Sequence, residues 1–253
     1  MIPRIPTRAA SFRVFHGYQR PGLAEADFLS ELGEVFMPGT PLMVRDLGLA
    51  AYLPAVLPVP DGVSGLPDEV AIIAYASRDA YTHARNDTVT GRMYTHTHRA
   101  VFDMERSRSQ YAEELGPLVD PVTAFWCTGE AADWQADGDV LIWAGYTKGD
   151  ASGFGQRFLD DVGGLMSSLG DAGVHECVGQ AGPNWGSLWL LLDGFGDAPA
   201  VNELLRPGPA GTTELLLERA TRLVWRDQPP AAPVTRGSAW SYVFVRDASR
   251  FIE

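Results

Sequence analysis

The chain reads twice, and this constrains its fold more than any other feature. Val14-Phe-His-Gly-Tyr-Gln-Arg20 and Ile142-Trp-Ala-Gly-Tyr-Thr-Lys148 share one order, apolar, aromatic, Gly, Tyr, polar, cation, and differ in kind only at the third position, His16 against Ala144. Gly17 and Gly145 lie 128 positions apart. Phe28-Leu29 with Glu31-Leu32-Gly33 then matches Phe158-Leu159 with Asp161-Val162-Gly163, now 130 positions apart. A repeat of this length is one supersecondary unit used twice. With 253 residues, the chain has room for two units of roughly 100–125 residues each.

Hydrophobic period supplies the elements of each unit. In the first, residues 12–18 read as a strand and 24–37 as a helix with Phe28, Leu29, Leu32, Val35 and Phe36 on one face. Pro38-Gly39 is expected to stop that helix. Residues 49–58 read as a second strand, placed at an edge because Pro54 cannot donate to a ladder. Residues 69–76 form a third strand. Ser77 caps a helix that runs to about Phe102 with a break near Asn86-Asp87. Residues 121–127 close the unit. In the second unit the expected strands are 139–146, 173–179, 186–193 and 239–246, and the expected helices are 152–169, 198–205 and 211–225. The acidic stretch Gly129–Gly138 is the linker, so the repeats span 10–128 and 138–250.

The order β-α-β-β-α-β gives a four-stranded antiparallel sheet with both helices on one face. The other face is also apolar, and two such sheets bury each other. The fold class is therefore α+β: two ferredoxin-like βαββαβ repeats closed as a pseudo-dimeric barrel. On the repeated Gly-Tyr strands and the segment Tyr75-Ala-Ser-Arg-Asp-Ala-Tyr81, the chain resembles a tandem-duplicated dimeric α+β barrel protein. That segment is similar to the strand-to-helix passage of stress-responsive and antibiotic-biosynthesis barrel domains. The resemblance implies cofactor-free monooxygenases, cyclases, isomerases, lyases or haem proteins as possible activities. Haem members place the proximal histidine in the second copy, where this chain has only His175 on an expected strand.

Composition narrows the partners. Apolar residues make up 45% and charged residues 21%, enough for a real core. A net charge of −12 disfavours nucleic acid and anionic membranes. No apolar run is long enough to span a bilayer. Met1-Ile-Pro-Arg-Ile-Pro lacks a signal-peptide core. Cys127 and Cys177 make neither a disulfide framework nor a zinc pattern. The expectation is a cytoplasmic monomer or homodimer acting on a small-molecule substrate, without cofactor or metal.

Four of the five histidines, His16, His83, His96 and His98, lie in the first copy, and Ala144 replaces His16 in the second. Strand alternation puts Val14, His16 and Tyr18 on one face and Arg13, Phe15 and Gly17 on the other. His16 is the expected base, with Tyr18 or Tyr75 as the acid. His96 and His98 point about 200° apart on a helix, so they do not chelate one metal. His98 joins the catalytic set and His96 the ligand contacts. Tyr94 is four residues before His98, and Tyr81 four before Arg85. Arg20 or Arg85 would hold an anionic group, with Tyr94 and Trp143 at the ligand wall. The leading expectation is a cofactor-independent lyase, cyclase or isomerase that removes a proton α to a carbonyl or carboxylate of a polyketide- or uronate-like molecule. The alternatives are a haem- or oxygen-using oxidoreductase and a non-catalytic binding protein.

Overall fold

The computed structural model describes residues 11–44, 49–75, 77–111, 122–127, 134, 138–193 and 197–244. The expected linker at 129–138 lies outside these, apart from Trp134 and Gly138, as do the outer ends of both expected repeats. In the first sheet, β1 (Ser11–Gly17), β2 (Leu49–Val56), β3 (Glu69–Tyr75) and β4 (Arg108–Tyr111) run in the order β4-β1-β3-β2. In the second, β6 (Asp139–Tyr146), β7 (Val174–Ala181), β8 (Trp185–Leu192) and β9 (Thr213–Arg219) repeat it as β9-β6-β8-β7. Both are the antiparallel 4-1-3-2 sheet of a ferredoxin-like unit.

Each sheet then gains a strand from the other half. Val122–Trp126, β5, pairs antiparallel with β7. Ser238–Phe244, β11, pairs antiparallel with β2 and carries β10 (Thr221–Trp225) alongside. The stretches expected to close each repeat are therefore strands, but each lies in the opposite sheet. The fourth-strand places belong to β4, where no strand is expected from local pattern, and to β9, in a stretch expected to be helical. Leu215-Leu216-Leu217 mimics a helical run because a bulge opposite Ala144/Gly145 interrupts the alternation in β9.

Two proline expectations also change. Pro54 sits in the interior strand β2, between β3 and β11. The β2–β11 register is the same at Ala55↔Ala239 and Tyr52↔Tyr242, on either side of it. The nearby Leu53 carbonyl instead accepts the Trp189 indole N–H from the other sheet at 3.1 Å. Pro38-Gly39 does not end the first helix. Helix α1 (Glu25–Glu31) passes through a π-helical turn, Leu32–Phe36, directly into α2 (Met37–Val44). In a π turn Pro38 would be the partner of the Gly33 carbonyl, and it has no N–H to give. That carbonyl accepts from Ala232 at 3.0 Å.

Three cores follow from the two faces of each sheet. Val14, Leu53, Ile72, Ile142, Val178 and Trp189 meet between the sheets. Trp134 joins this core, with its indole donating to Glu176 at 2.8 Å. Phe28, Leu32, Phe36 and Tyr75 pack under the helices of the first sheet. Trp143, Phe158, Leu159 and Val162 pack beneath α5 (Phe154–Asp171) and α6 (Ala198–Leu205) on the second. Each fully buried Leu or Phe contributes about 1.5–3 kcal/mol, so all three layers matter to stability. No helix among the described residues is long and apolar enough to cross a membrane.

Candidate active site

The helix-facing side of the first sheet carries a row of polar groups among apolar ones. Arg13 and Phe15 alternate on β1, Glu69, Ala71 and Ile73 on β3, and Tyr52 projects from β2. Above them lie α3 (Arg78–Asp87) and α4 (Val89–Val101), the break in the long helix that the sequence placed near Asn86-Asp87. Ser77 Oγ caps α3 by accepting from Ala80 N at 3.2 Å, and Thr88 Oγ1 caps α4 by accepting from Gly91 N at 2.9 Å. Helical spacing brings Tyr81 and Arg85 from α3, and Tyr94 and His98 from α4, onto this side. Together these groups and Phe36 enclose a cavity of about 290 Å³.

The floor is unusual. Glu69 is fully buried, and neither of its carboxyl oxygens has a hydrogen-bond partner among the described residues. The Tyr52 hydroxyl beside it also lacks one. Burial pushes the Glu69 carboxyl up to about 8, against a smaller downward pull from Tyr52. The Tyr94 hydroxyl shares a hydrogen bond with Thr40 Oγ1, and burial raises its pKa well above the usual tyrosine value. Leaving Glu69 and Tyr52 unpaired costs about 1–3 kcal/mol each, and functional sites are where that cost is commonly tolerated.

The walls hold the complementary charges. His98 Nδ1 donates to the Tyr94 carbonyl at 2.9 Å. Its ring sits edge-on to Phe36 at 4.7 Å and to Tyr94 at 4.6 Å. Burial, then Arg85 and Arg13, bring its pKa down to about 4 against the Tyr94 carbonyl. The ring is therefore neutral at pH 7, with its lone pair on Nε2. Arg13, 7% exposed, donates through Nε to Ser109 Oγ and lies 4.4 Å over the Tyr81 ring. Arg85 is an exposed cation at the mouth, whereas Arg108 stands opposite His16 in the β1–β4 register and so turns to the other face of the sheet.

Of the residues singled out from sequence, the structure brings His98, Tyr94 and Arg85 together here. His16 and Tyr18 share a different place. Alternation turns His16 toward the space between the sheets, where Gln180 Nε2 donates to its Nδ1 at 2.9 Å. The Trp185 ring lies 5.5 Å from it and the Tyr18 ring 6.1 Å. Tyr18 donates to the Gly65 carbonyl at 3.1 Å and lies under Arg106. Tyr75 is buried beside Tyr81 with ring centres 4.6 Å apart, outside the cavity lining. His96 is exposed, as the 200° argument requires once His98 faces inward. Arg20 is exposed too. Trp143 is stacked on Phe158 under α5, on the far sheet.

Sequence reasoning passed over Arg13, Tyr52 and Glu69. Their signal was present: a lone charge at a period-2 position of an apolar strand, Arg13 in step with Phe15 and Glu69 in step with Ala71 and Ile73. Among the described residues no group of three or more His, Cys, Asp or Glu could hold a metal. A haem does not fit the cavity. Its volume lies at the small end of ligand pockets, about 300–1,000 Å³, and aromatic rings enclose His98 where a macrocycle would need open space.

No protein-family model and no curated protein sequence matches the chain. Among solved structures, it is similar to a candidate monooxygenase from Fusobacterium nucleatum, at 10% identity over 94% of this chain and 99% of that one, TM-score 0.41. It is similar to a second candidate monooxygenase, from Lactobacillus acidophilus, at 10% identity over 83% and 93%, TM-score 0.38. A Rhodococcus jostii DypB variant in complex with heme gives 12% identity over 100% and 98%, TM-score 0.35. These are likenesses of chain course. The strand order and the exchanged strands make this protein a tandem, pseudo-dimeric α+β barrel of two ferredoxin-like units.

Proposed function

We propose that this protein is a cofactor-independent acid–base enzyme acting in the cavity under α3 and α4, with Glu69 in place of His16 as the proton-abstracting group. The observation that carries the reading is the buried, unpartnered Glu69 carboxyl with a pKa of about 8. A general base works best when its pKa lies near the working pH. In this reading Glu69 removes a proton α to a carbonyl, and Arg13 takes the developing enolate charge in a poorly solvated site. His98, neutral and with Nε2 as acceptor, holds a substrate hydroxyl. Return of the proton to another atom gives isomerisation, cyclisation or elimination. The test is proton–deuterium exchange of small enolisable ketones followed by NMR. Glu69→Gln is expected to lower exchange at least about 100-fold while His16→Ala leaves it in place. The opposite pattern would return the role to His16.

A second reading follows from the walls. Phe15, Phe36, Tyr52, Tyr81 and Tyr94 suit a flat aromatic substrate. The carbanion of such a substrate can react with dioxygen, which would make the protein a cofactor-free, monooxygenase-like oxidoreductase. Oxygen uptake that depends on both substrate and Glu69 separates this outcome from isomerisation or elimination under argon.

A further inference from the structure

The cavity is polarised from mouth to floor, and this polarity identifies its ligand more closely. Arg85 lines it from the exposed side, while Glu69 and Tyr52 sit fully buried at the other end. Both floor groups lack partners among the described residues. Between the ends the walls are aromatic, and about 290 Å³ accommodates one substituted ring. The surrounding sequence is also unlike the rest of the chain. Arginines recur every seventh residue at Arg78, Arg85, Arg92, Arg99 and Arg106, followed by Arg108. Against Asp79, Asp87, Asp103 and Glu105, residues 78–108 carry a formal charge of +2 in a chain whose total is −12. A cationic stretch of an acidic protein attracts an anion to that region and repels it elsewhere.

We infer that the ligand is a small aromatic acid, bound with its carboxylate at Arg85 in the mouth and a hydroxyl or keto oxygen against Glu69 and Tyr52. The inference rests on the cavity being the substrate site, as proposed above. The Arg85 guanidinium pairs with the carboxylate, the rings cover the aromatic body, and the floor gains the partners it lacks.

Calorimetric titration of the full chain with 4-hydroxybenzoate, benzoate and neutral 4-hydroxybenzyl alcohol tests it. The hydroxy acid is expected to bind at least about tenfold more tightly than the alcohol, and this advantage should shrink as salt screens the rim. Arg85→Gln, at an exposed position, should abolish the preference for the acid and leave the circular dichroism spectrum unchanged. Glu69→Gln should reduce the gain that the hydroxyl gives over benzoate. Equal or tighter binding of the alcohol, preference for the acid in the Arg85→Gln variant, or no binding of any probe would overturn the inference. Binding with the expected preference but no proton exchange would uphold it and remove the acid–base reading instead.

Discussion

His98 Nδ1 donates to the carbonyl of Tyr94, one helical turn earlier, at 2.9 Å. That bond selects the tautomer with its lone pair on Nε2, and burial holds the ring neutral down to about pH 4, against an ordinary value of 6.5. Between these pH values the unfolded chain takes up a proton that the folded chain refuses. The contribution of the neutral ring to stability is thus complete above pH 6.5 and is lost as pH falls toward 4. Allowing for partial exposure to the cavity, the loss is about 2 kcal/mol. His98→Gln should flatten the acid limb of urea-unfolding stability between pH 6.5 and 4.

Glu69 works in the opposite direction. Its folded pKa of about 8 exceeds the ordinary 4.5, so its contribution is complete below pH 4.5 and is lost as pH rises through 8. The span corresponds to something on the order of 4 kcal/mol. The two slopes oppose each other from pH 4.5 to 6.5, which leaves the clearest decline between 6.5 and 8. Glu69→Gln keeps the shape and removes the charge. Its melting temperature should overtake that of the wild type on the alkaline side, and a parallel decline in both proteins would assign the slope to another group.

Gly91 lets α4 rest on α3. A Cβ there would lie 2.0 Å from the Ala84 carbonyl oxygen and 2.6 Å from that of Arg85. Backbone atoms cannot yield as a flexible side chain would, so Gly91→Ala should cost about 2–4 kcal/mol and shift Tyr94 and His98 off the cavity. Gly164→Ala on α5 meets nothing within 4 Å. Chemical denaturation should find that control neutral or stabilised by up to about 1 kcal/mol.

Arg236, late in the chain, fastens the start of the first unit. Its guanidinium reaches Asp68 at 2.8 Å, the Leu57 carbonyl at 3.2 Å and Gln19 at 3.4 Å. A lysine ammonium cannot reproduce that fork, so Arg236→Lys should lose about 1–3 kcal/mol. Glu25 is an exposed partner at 3.3 Å, and Glu25→Ala should cost less than about 0.5 kcal/mol. A double-mutant cycle with Asp68→Asn measures the coupling.

The duplication and most strands were legible because Gly-Tyr strands and apolar alternation are local signals. β4 and β9 were not. Arg108–Tyr111 is short and polar, and the bulge in β9 puts three leucines in a row. Nor could local pattern say which sheet β5 and β11 would join, since edge pairing is settled by the facing half. The site divides along the same line. Helical spacing groups Tyr94 with His98, and Tyr81 with Arg85, and all four line the cavity. The histidine difference between the copies drew attention to His16, whereas the polar floor depends on which strand face the helices cover. Only the assembled sheet reveals that.

The exchange of β5 and β11 has a consequence for either half on its own. Without its counterpart, a half would present the bare edge of β2 or β7, a row of amide and carbonyl groups with nothing to bond. Such an edge recruits whatever strand is available. Half of this protein, made alone, is therefore a seed for self-association. The covalent joining of two copies in one chain ensures that the first strand to arrive is the correct one.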